Sequence, residues 1–338
     1  MSSKSRKSAL PETETRLRAE DRELFRRAWQ VTRRHHGKTL DLYLPGMIRY
    51  GNIRGRYPAV SITGGNCRLM CEHCKGLLLR PMIKSETPED LVRRCRAFAE
   101  NGAHGVLLTG GSDRCGQLPW ERFLPAIAQI RAETKLFLSA HTGFPDHQTC
   151  RALKNAGVKQ GLIDVMGDHE TASAIYHLDG LDTVLRALSA IKGSGLQLAP
   201  HIVTGLFHGK IRGEMKALEI IRSHAPHVLV IVVLTPLAGT PMAGASPPSP
   251  LEIARLVAQA RLLMPEVPIS LGCERPRDKT GLEIETLAIR AGITRMAVWS
   301  DQAVKAAQKL GLAIRMQYTC CSVDFQKKYA MIKQRVNN

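Results

Sequence analysis

Eight strand-like apolar runs, each followed by a stretch of helical periodicity, constrain this 338-residue chain more than any other feature. The runs begin near Ala59, Gly105, Lys135, Lys159, Leu196, His227, Val267 and Ile293; helices are predicted between them, as over Pro88 to Glu100, Glu121 to Lys135 and Pro250 to Met264. Strands that alternate with helices pair in parallel, because each helix carries the chain back to start the next strand in the same direction. Eight such units make an α/β, TIM-type closed (β/α)8 barrel the natural count. An open six-unit partial barrel with an accessory unit is the alternative, since the last strands show the weakest pattern. The chain is long for a small domain and right for one such barrel, and its 44% hydrophobic residues are enough for a large core.

The barrel is expected over residues 57–312, with a basic N-terminal tail, helix and connector over 1–56 and a cysteine-bearing C-terminal segment over 313–338. Residues 1 to 15 read as a polar, charged, disordered tail. From Thr15 to His36 the pattern turns helical, with Leu24, Ala28 and Val31 on one stripe beside Phe25. Leu42 to Pro58 is a connector punctuated by Pro45, Gly46, Gly51 and Gly55. No apolar run reaches the roughly 18 to 20 residues that span a bilayer. The N-terminus is basic but lacks the apolar core of a secretory signal, so a cytoplasmic protein is expected.

The formal charge is +18, and residues 1–56 hold 14 Lys and Arg against 6 Asp and Glu. An acidic macromolecular partner is expected, either nucleic acid or an acidic carrier protein; a merely solvated basic face is the plain alternative. Nine cysteines in a reducing compartment point to metal sites or buried thiols rather than disulfides.

Three of those cysteines fall in Cys67-Arg68-Leu69-Met70-Cys71-Glu72-His73-Cys74, directly after the first strand and the turn Gly64-Gly65-Asn66. Thiolates spaced three and then two residues apart can hold three corners of a cubane iron-sulfur cluster and leave the fourth iron open. A structural zinc knuckle would need a fourth Cys or His close by. His73 is available, but a residue between two ligands of a C-x2-C is poorly placed to reach the same metal.

Reactive residues of such a barrel lie on the loops after its strands. The second strand is followed by Thr109-Gly110-Gly111-Ser112-Asp113, where paired glycines let backbone approach a ligand that a Cβ would obstruct. His141, Asp164 and His201 end the third, fourth and fifth strands and are expected to share the mouth, in contact with cofactor or substrate or as hydrogen-bonded structure. Pro236 lies in the Pro- and Gly-rich loop after the sixth.

Helical phase assigns Cys95, beside Leu91 and Phe98, and Cys150, beside Leu153, to the core as small hydrophobes. Cys115 follows the glycine pair and can face the mouth. Cys273 lies just past the seventh strand. If the helix from Asp301 to Leu310 descends like its predecessors, the strand-like 312–318 climbs back and brings Cys320 and Cys321 near the mouth, within range of Cys273. Three thiols there suggest a second, auxiliary cluster, with Cys115, Ser112 or an exogenous sulfide as fourth ligand. Incidental or redox-active cysteines are the alternative.

The C-x3-C-x2-C motif after a first strand resembles the signature of the radical S-adenosylmethionine (SAM) enzymes. Ser61-Ile62-Thr63-Gly64, the segment from Pro200-His201 through Gly213-Glu214, the turn Cys273-Glu274-Arg275-Pro276 and the terminal Cys320-Cys321 look like the biotin synthase-related branch, which includes the radical lipoyl synthases that work as two-protein pairs. The resemblance covers roughly residues 40 to 325. It implies that SAM chelates the open iron of a Cys67, Cys71, Cys74 [4Fe-4S] cluster, that Gly110 and Gly111 meet its methionine amino group, and that the Pro236 loop meets its adenine. His73 stands where the family usually has an aromatic residue, and its ring can lie against the adenine.

Further implied are a 5′-deoxyadenosyl radical that takes hydrogen from an octanoyl chain, and sulfur supplied by an auxiliary [4Fe-4S] cluster on Cys273, Cys320 and Cys321. The implied partners are an acidic octanoylated lipoyl carrier domain, a sister lipoyl synthase, and an electron donor such as ferredoxin or flavodoxin. The N-terminal C-x4-C-x5-C run and Ser-rich C-terminal motif of single-chain lipoyl synthases are both missing. A methylthiotransferase-like RNA-modifying radical enzyme is the runner-up, although residues 1–56 contain no cysteine and the chain ends shortly after Cys321.

Overall fold

A computed structural model describes residues 17–324, so the polar tail expected over 1–15 lies outside the described residues. Helix α1 (Ala19–His36) leads into strand β1 (Thr39–Tyr43) and a small antiparallel hairpin, β2 (Arg49–Tyr50) with β3 (Ile53–Arg54). Then come β4 (Ala59–Ser61), β5 (Ile83–Lys84), α2 (Pro88–Glu100), β6 (Gly105–Thr109), α3 (Trp120–Glu133), β7 (Phe137–His141), α4 (His147–Ala156), β8 (Gln160–Asp164) and α5 (Gly180–Gly193). The remainder is β9 (Gln197–Thr204), α6 (Glu214–Ser223), β10 (Leu229–Val233), α7 (Pro250–Leu263), β11 (Ile269–Leu271), α8 (Lys279–Ala291), β12 (Arg295–Ala297), α9 (Asp301–Lys309) and β13 (Ala313–Gln317).

The eight expected strands are β4 and β6 through β12, each starting within two residues of its predicted position and lying in chain order in one parallel sheet. Sequence signals fix the helix starts: Thr87 accepts from Asp90 N ahead of Pro88 in α2, and Ser249 with Glu252 forms a reciprocal capping box ahead of Pro250 in α7.

Ring closure departs from the eight-strand expectation. The sheet has eleven strands in the order β13-β1-β12-β11-β10-β9-β8-β7-β6-β4-β5, so β1 and β13 stand where the eighth strand would meet the first. No strand ladder joins the two ends among the described residues, and the barrel is open. A backbone bond from Arg56 N–H to Tyr318 O at 2.8 Å crosses the seam just ahead of β4. Segments from both chain ends are thus strands of the barrel sheet itself. The connector expected over 42–58 begins inside β1, which the sequence pattern did not reveal.

Two cores result from the curled sheet. The larger lies between strands and helices and includes Cys95 and Cys150, both fully buried, with thiols pushed up to about 12 by burial. The smaller fills the lumen with Tyr43, Leu162, Ala199, Val228, Val230, Val232, Ala297 and Cys321. Helix α1 packs on α7 and α8, where Arg255 donates to both oxygens of Asp21 at 2.6 and 2.9 Å. Its buried residues are Asp21, Phe25, Ala28 and Thr32, rather than a stripe through Leu24 and Val31. No described helix is long and apolar enough to cross a membrane.

Candidate active site

The cysteine loop is tied to the end of β6. Thr63 Oγ1 accepts from Gly111 N at 2.7 Å and donates to Asn66 O at 3.0 Å, while Ser112 O accepts from Arg68 N at 2.7 Å and Leu69 N at 3.3 Å. A Cβ on Gly111 would lie 2.0 Å from Asn66 O and 2.6 Å from Cys67 Cα. The space that the glycine frees is therefore occupied by the cysteine loop itself. Gly110 likewise abuts Thr63 and Ile62.

Within the loop, Cys71 O accepts from Cys74 N and Lys75 N, and the turn brings one ligand atom each of Cys71, His73 and Cys74 within 4.8 Å of one another. His73 is thus in reach of both flanking thiols, contrary to the expectation for a residue between two ligands. Cys71 is held above the usual thiol range, first by its hydrogen bond with Cys74 and then by burial and the charges of Cys74 and Cys67. The same bond, aided by His73, lowers Cys74 to about 4.

Cys67 stands outside that compact set yet close enough to act on Cys71. Thiolates on one zinc ion, with Zn–S near about 2.3 Å, would all be drawn together. Cys67 stands apart, as a thiolate on a separate cubane iron would, whereas Cys71 and Cys74 lie within 4.8 Å of each other. Nδ1 of His73 is buried with no hydrogen-bond partner, its ring 5.1 Å from that of Tyr176.

Beneath this loop lies a polar layer. His141 ends β7, Asp164 ends β8, and His201 pairs with Asp164 from β9. His141 Nε2 is 3.5 Å from Asp164 Oδ1, Tyr176 OH donates to Asp164 Oδ2 at 2.7 Å, and the two imidazoles are 5.7 Å apart. Burial opposes ionisation of Asp164, but the charges of His141 and His201 and the hydrogen bonds of His141 and Tyr176 hold its carboxyl well below the usual range. Burial also opposes protonation of His141; the charge and hydrogen bond of Asp164, aided by Cys320, win and raise it. His201 is depressed to about 4 by burial and by His141. The layer therefore contains a carboxylate, a neutral imidazole at His201, and a second imidazole, His141, whose protonation the carboxylate favours.

Cys320 and Cys321 do not stop at the mouth, which corrects the expectation. After β13 the chain turns into the lumen, where Gln160 Nε2 donates to Ser322 O at 2.8 Å and Arg295 Nη1 donates to Cys321 O at 3.2 Å. Gln160 and Arg295 open their strands, so the thiols enter deep in the barrel, where small Ala199 and Ala297 leave room and Gln160 needs a partner. Cys321 is 4% exposed. The hydrogen bond with Cys321 lowers Cys320 to about 6 against burial, with help from Ser322 and the charge of His141, and raises Cys321.

Cys273 is close enough to interact electrostatically with both tail thiols; burial, Cys320 and Glu274 push it up to about 11. Cys273 itself is exposed. Arg275, fully enclosed, fastens this turn by donating to Gly272 O, Ala297 O, Val298 O and Glu285 Oε1.

The three tail-side thiols thus share one region, and the His141–Asp164 pair feels Cys71 on one side and Cys320 on the other. Cys115 stands apart. It is exposed and lines an outer cavity of about 960 Å³ with Phe144, His147 and His177. That position argues against it as a ligand beside Cys273. Ser112 faces the first cysteine loop through its carbonyl, and Pro236 lies half-buried in the loop after β10. Sequence reasoning missed Tyr176 and Gln160, which have no motif, and read Arg275 only as part of the Cys273-Glu274-Arg275-Pro276 turn without its fastening role; the isolated Gln at a strand start gave a signal, a polar residue in an apolar run.

Residues 61–224 match the family model of the Radical SAM superfamily. Biotin synthase from Syntrophotalea carbinolica is 27% identical over 267 residues, covering 76% of this chain and 79% of its own length. Biotin synthase from Pelotomaculum thermopropionicum is 25% identical over 288 residues, with 82% and 84% covered. Among solved structures, methylornithine synthase superposes with a TM-score of 0.61 at 18% identity, covering 97% of this chain and 87% of that one. The [FeFe]-hydrogenase maturase HydG from Carboxydothermus hydrogenoformans superposes with a TM-score of 0.60 at 16% identity, covering 88% and 72%. At these identities the superpositions show the fold alone.

Proposed function

The chain is a radical SAM enzyme related to biotin synthases, and from that premise we propose that it inserts sulfur into the octanoyl chain of a lipoyl carrier protein, as one member of a two-protein pair. Membership implies a SAM-binding [4Fe-4S] cluster, for which Cys67, Cys71 and Cys74 are the donors. When bound, that cluster supplies the electron and the open iron needed to cleave SAM.

One observation carries the sulfur-insertion reading: a second group of thiols, Cys273 on the turn after β11 and Cys320 and Cys321 in the tail, lies in electrostatic reach of one another and, through Cys320, of His141. Soft ligands gathered at one place suit an auxiliary [4Fe-4S] cluster as sulfur donor. An acyl chain entering at the mouth would pass the first cysteine loop and the polar layer before meeting this nest. Gly110, Gly111 and Ser112 hold the cysteine loop, His141, Asp164 and His201 orient the chain's polar end, and the Pro236 loop borders the nucleoside. A charge of +18 suits an acidic carrier domain and an acidic reductant such as ferredoxin or flavodoxin.

Replacing Cys273, Cys320 and Cys321 with alanine tests the reading. Iron per chain is expected to fall while SAM cleavage persists; unchanged iron removes the sulfur-donor role. Mass spectrometry of an octanoylated carrier peptide after anaerobic turnover should show a gain of one sulfur without the sister enzyme and two with it. An unmodified peptide under both conditions rules out this substrate.

A further inference from the structure

The His141, Asp164 and His201 layer has a geometry that substrate contact alone does not require. Three adjacent parallel strands, β7, β8 and β9, bring one donor atom from each residue within 4.8 Å of the others. All three side chains are half-buried.

The outward contacts of these residues are those of metal ligands. Tyr176 OH occupies Asp164 Oδ2 at 2.7 Å and leaves Oδ1 for the cluster of donors. Nδ1 of His201 bonds to Ala199 O at 3.1 Å, which places the proton on Nδ1 and the lone pair on Nε2. Ligating histidines and carboxylates ordinarily have such second contacts, which fix the tautomer and orient the lone pair. The 3.5 Å between His141 Nε2 and Asp164 Oδ1 exceeds the roughly 2.7–2.9 Å of a charge-assisted hydrogen bond. It suits two donors that each sit about 2.0–2.2 Å from a shared ion.

We infer that His141, Asp164 and His201 bind one divalent first-row metal ion, such as Mn²⁺, Fe²⁺ or Zn²⁺, through two imidazoles and one carboxylate. This harder nitrogen and oxygen donor set is chemically distinct from both thiol nests. Its open positions face the lumen and take a carbonyl or carboxylate oxygen, which the ion polarises and holds in register. The site does not rest on sulfur insertion, since its ligands are separate from Cys273, Cys320 and Cys321.

Mn²⁺ alone is the probe, because it prefers oxygen and nitrogen donors to thiolates. Added to anaerobic, cluster-loaded protein, it is followed by the loss of the free-ion paramagnetic resonance signal. The expected result is one ion per chain, with affinity at least about a hundredfold weaker in Asp164→Ala and His201→Ala and about ten- to a hundredfold weaker in Tyr176→Phe, which keeps all three ligands. Cys273→Ala/Cys320→Ala/Cys321→Ala should bind Mn²⁺ as the parent does, whatever its sulfur chemistry. No bound ion in the parent, or unchanged affinity in Tyr176→Phe, overturns the site. A folded Asp164→Ala that binds normally does the same.

Discussion

Ser322 and Gln160 hold each other through two reciprocal hydrogen bonds. The Ser322 hydroxyl donates to Gln160 Oε1 at 2.7 Å, and Gln160 Nε2 donates to Ser322 O at 2.8 Å. Both residues are at most 2% exposed, so neither partner has water as a substitute. The pair anchors the descending tail and, through Ser322 Oγ at 3.3 Å from Cys320 Sγ, fixes the height of that thiol in the lumen.

Gln160→Leu should therefore cost about 1–3 kcal/mol, the usual penalty for orphaning buried polar groups, measured by denaturant unfolding of cluster-free protein. The tail should also loosen, so Cys321 should react faster with a thiol reagent by peptide mass spectrometry. Wild-type labelling in Gln160→Leu would mean that the tail is held elsewhere.

Gly111 supports the first cysteine loop by lacking a side chain. Gly111→Ala places a methyl against Asn66 O and Cys67 Cα, backbone atoms that move only with the loop. Overpacking of this kind costs about 1–3 kcal/mol, and displacing Cys67 should lower the iron retained after anaerobic gel filtration. Gly65→Ala is the comparison, because a Cβ there meets nothing within 4 Å; its melting temperature should match the parent. Equal melting temperatures and iron contents for the two variants would show that the loop absorbs the methyl.

The strand and helix count was legible because short apolar runs and period-3.6 patterns report burial within and against a parallel sheet directly, as the eight strands starting at Ala59 through Arg295 demonstrate. The cysteine trio was legible because its spacing is local. The path of Cys320 and Cys321 was not: β13 does climb beside β1, but the next turn into the lumen depends on Gln160 and Arg295, each more than 20 residues away in sequence. β1 was missed because it is a short strand whose neighbours, β12 and β13, come from the other end of the chain. Gly110 and Gly111 were noticed for the right property, close approach, while the partner that approaches them is protein.

A pH effect follows from His36, at the end of α1. Its Nε2 lies 2.9 Å from Arg261 Nη1 and 3.0 Å from Pro265 O. Arg261 is fully buried and can only donate, so the neutral ring accepts from it. Protonation would set a second cation against the guanidinium, with Arg33 and His35 adding repulsion. Burial first, then Arg261, depresses His36 to about 4 from its ordinary 6.5. Because the folded value lies below the unfolded one, the unfolded chain takes up the proton first as pH falls. Stability is then full above pH 6.5 and drains away progressively toward pH 4. Melting temperature should fall between pH 7 and pH 4.5, and His36→Gln, which keeps an acceptor for Arg261 without a titrating ring, should show a smaller fall. A fall in His36→Gln equal to the parent's would clear His36 of any part in acid sensitivity.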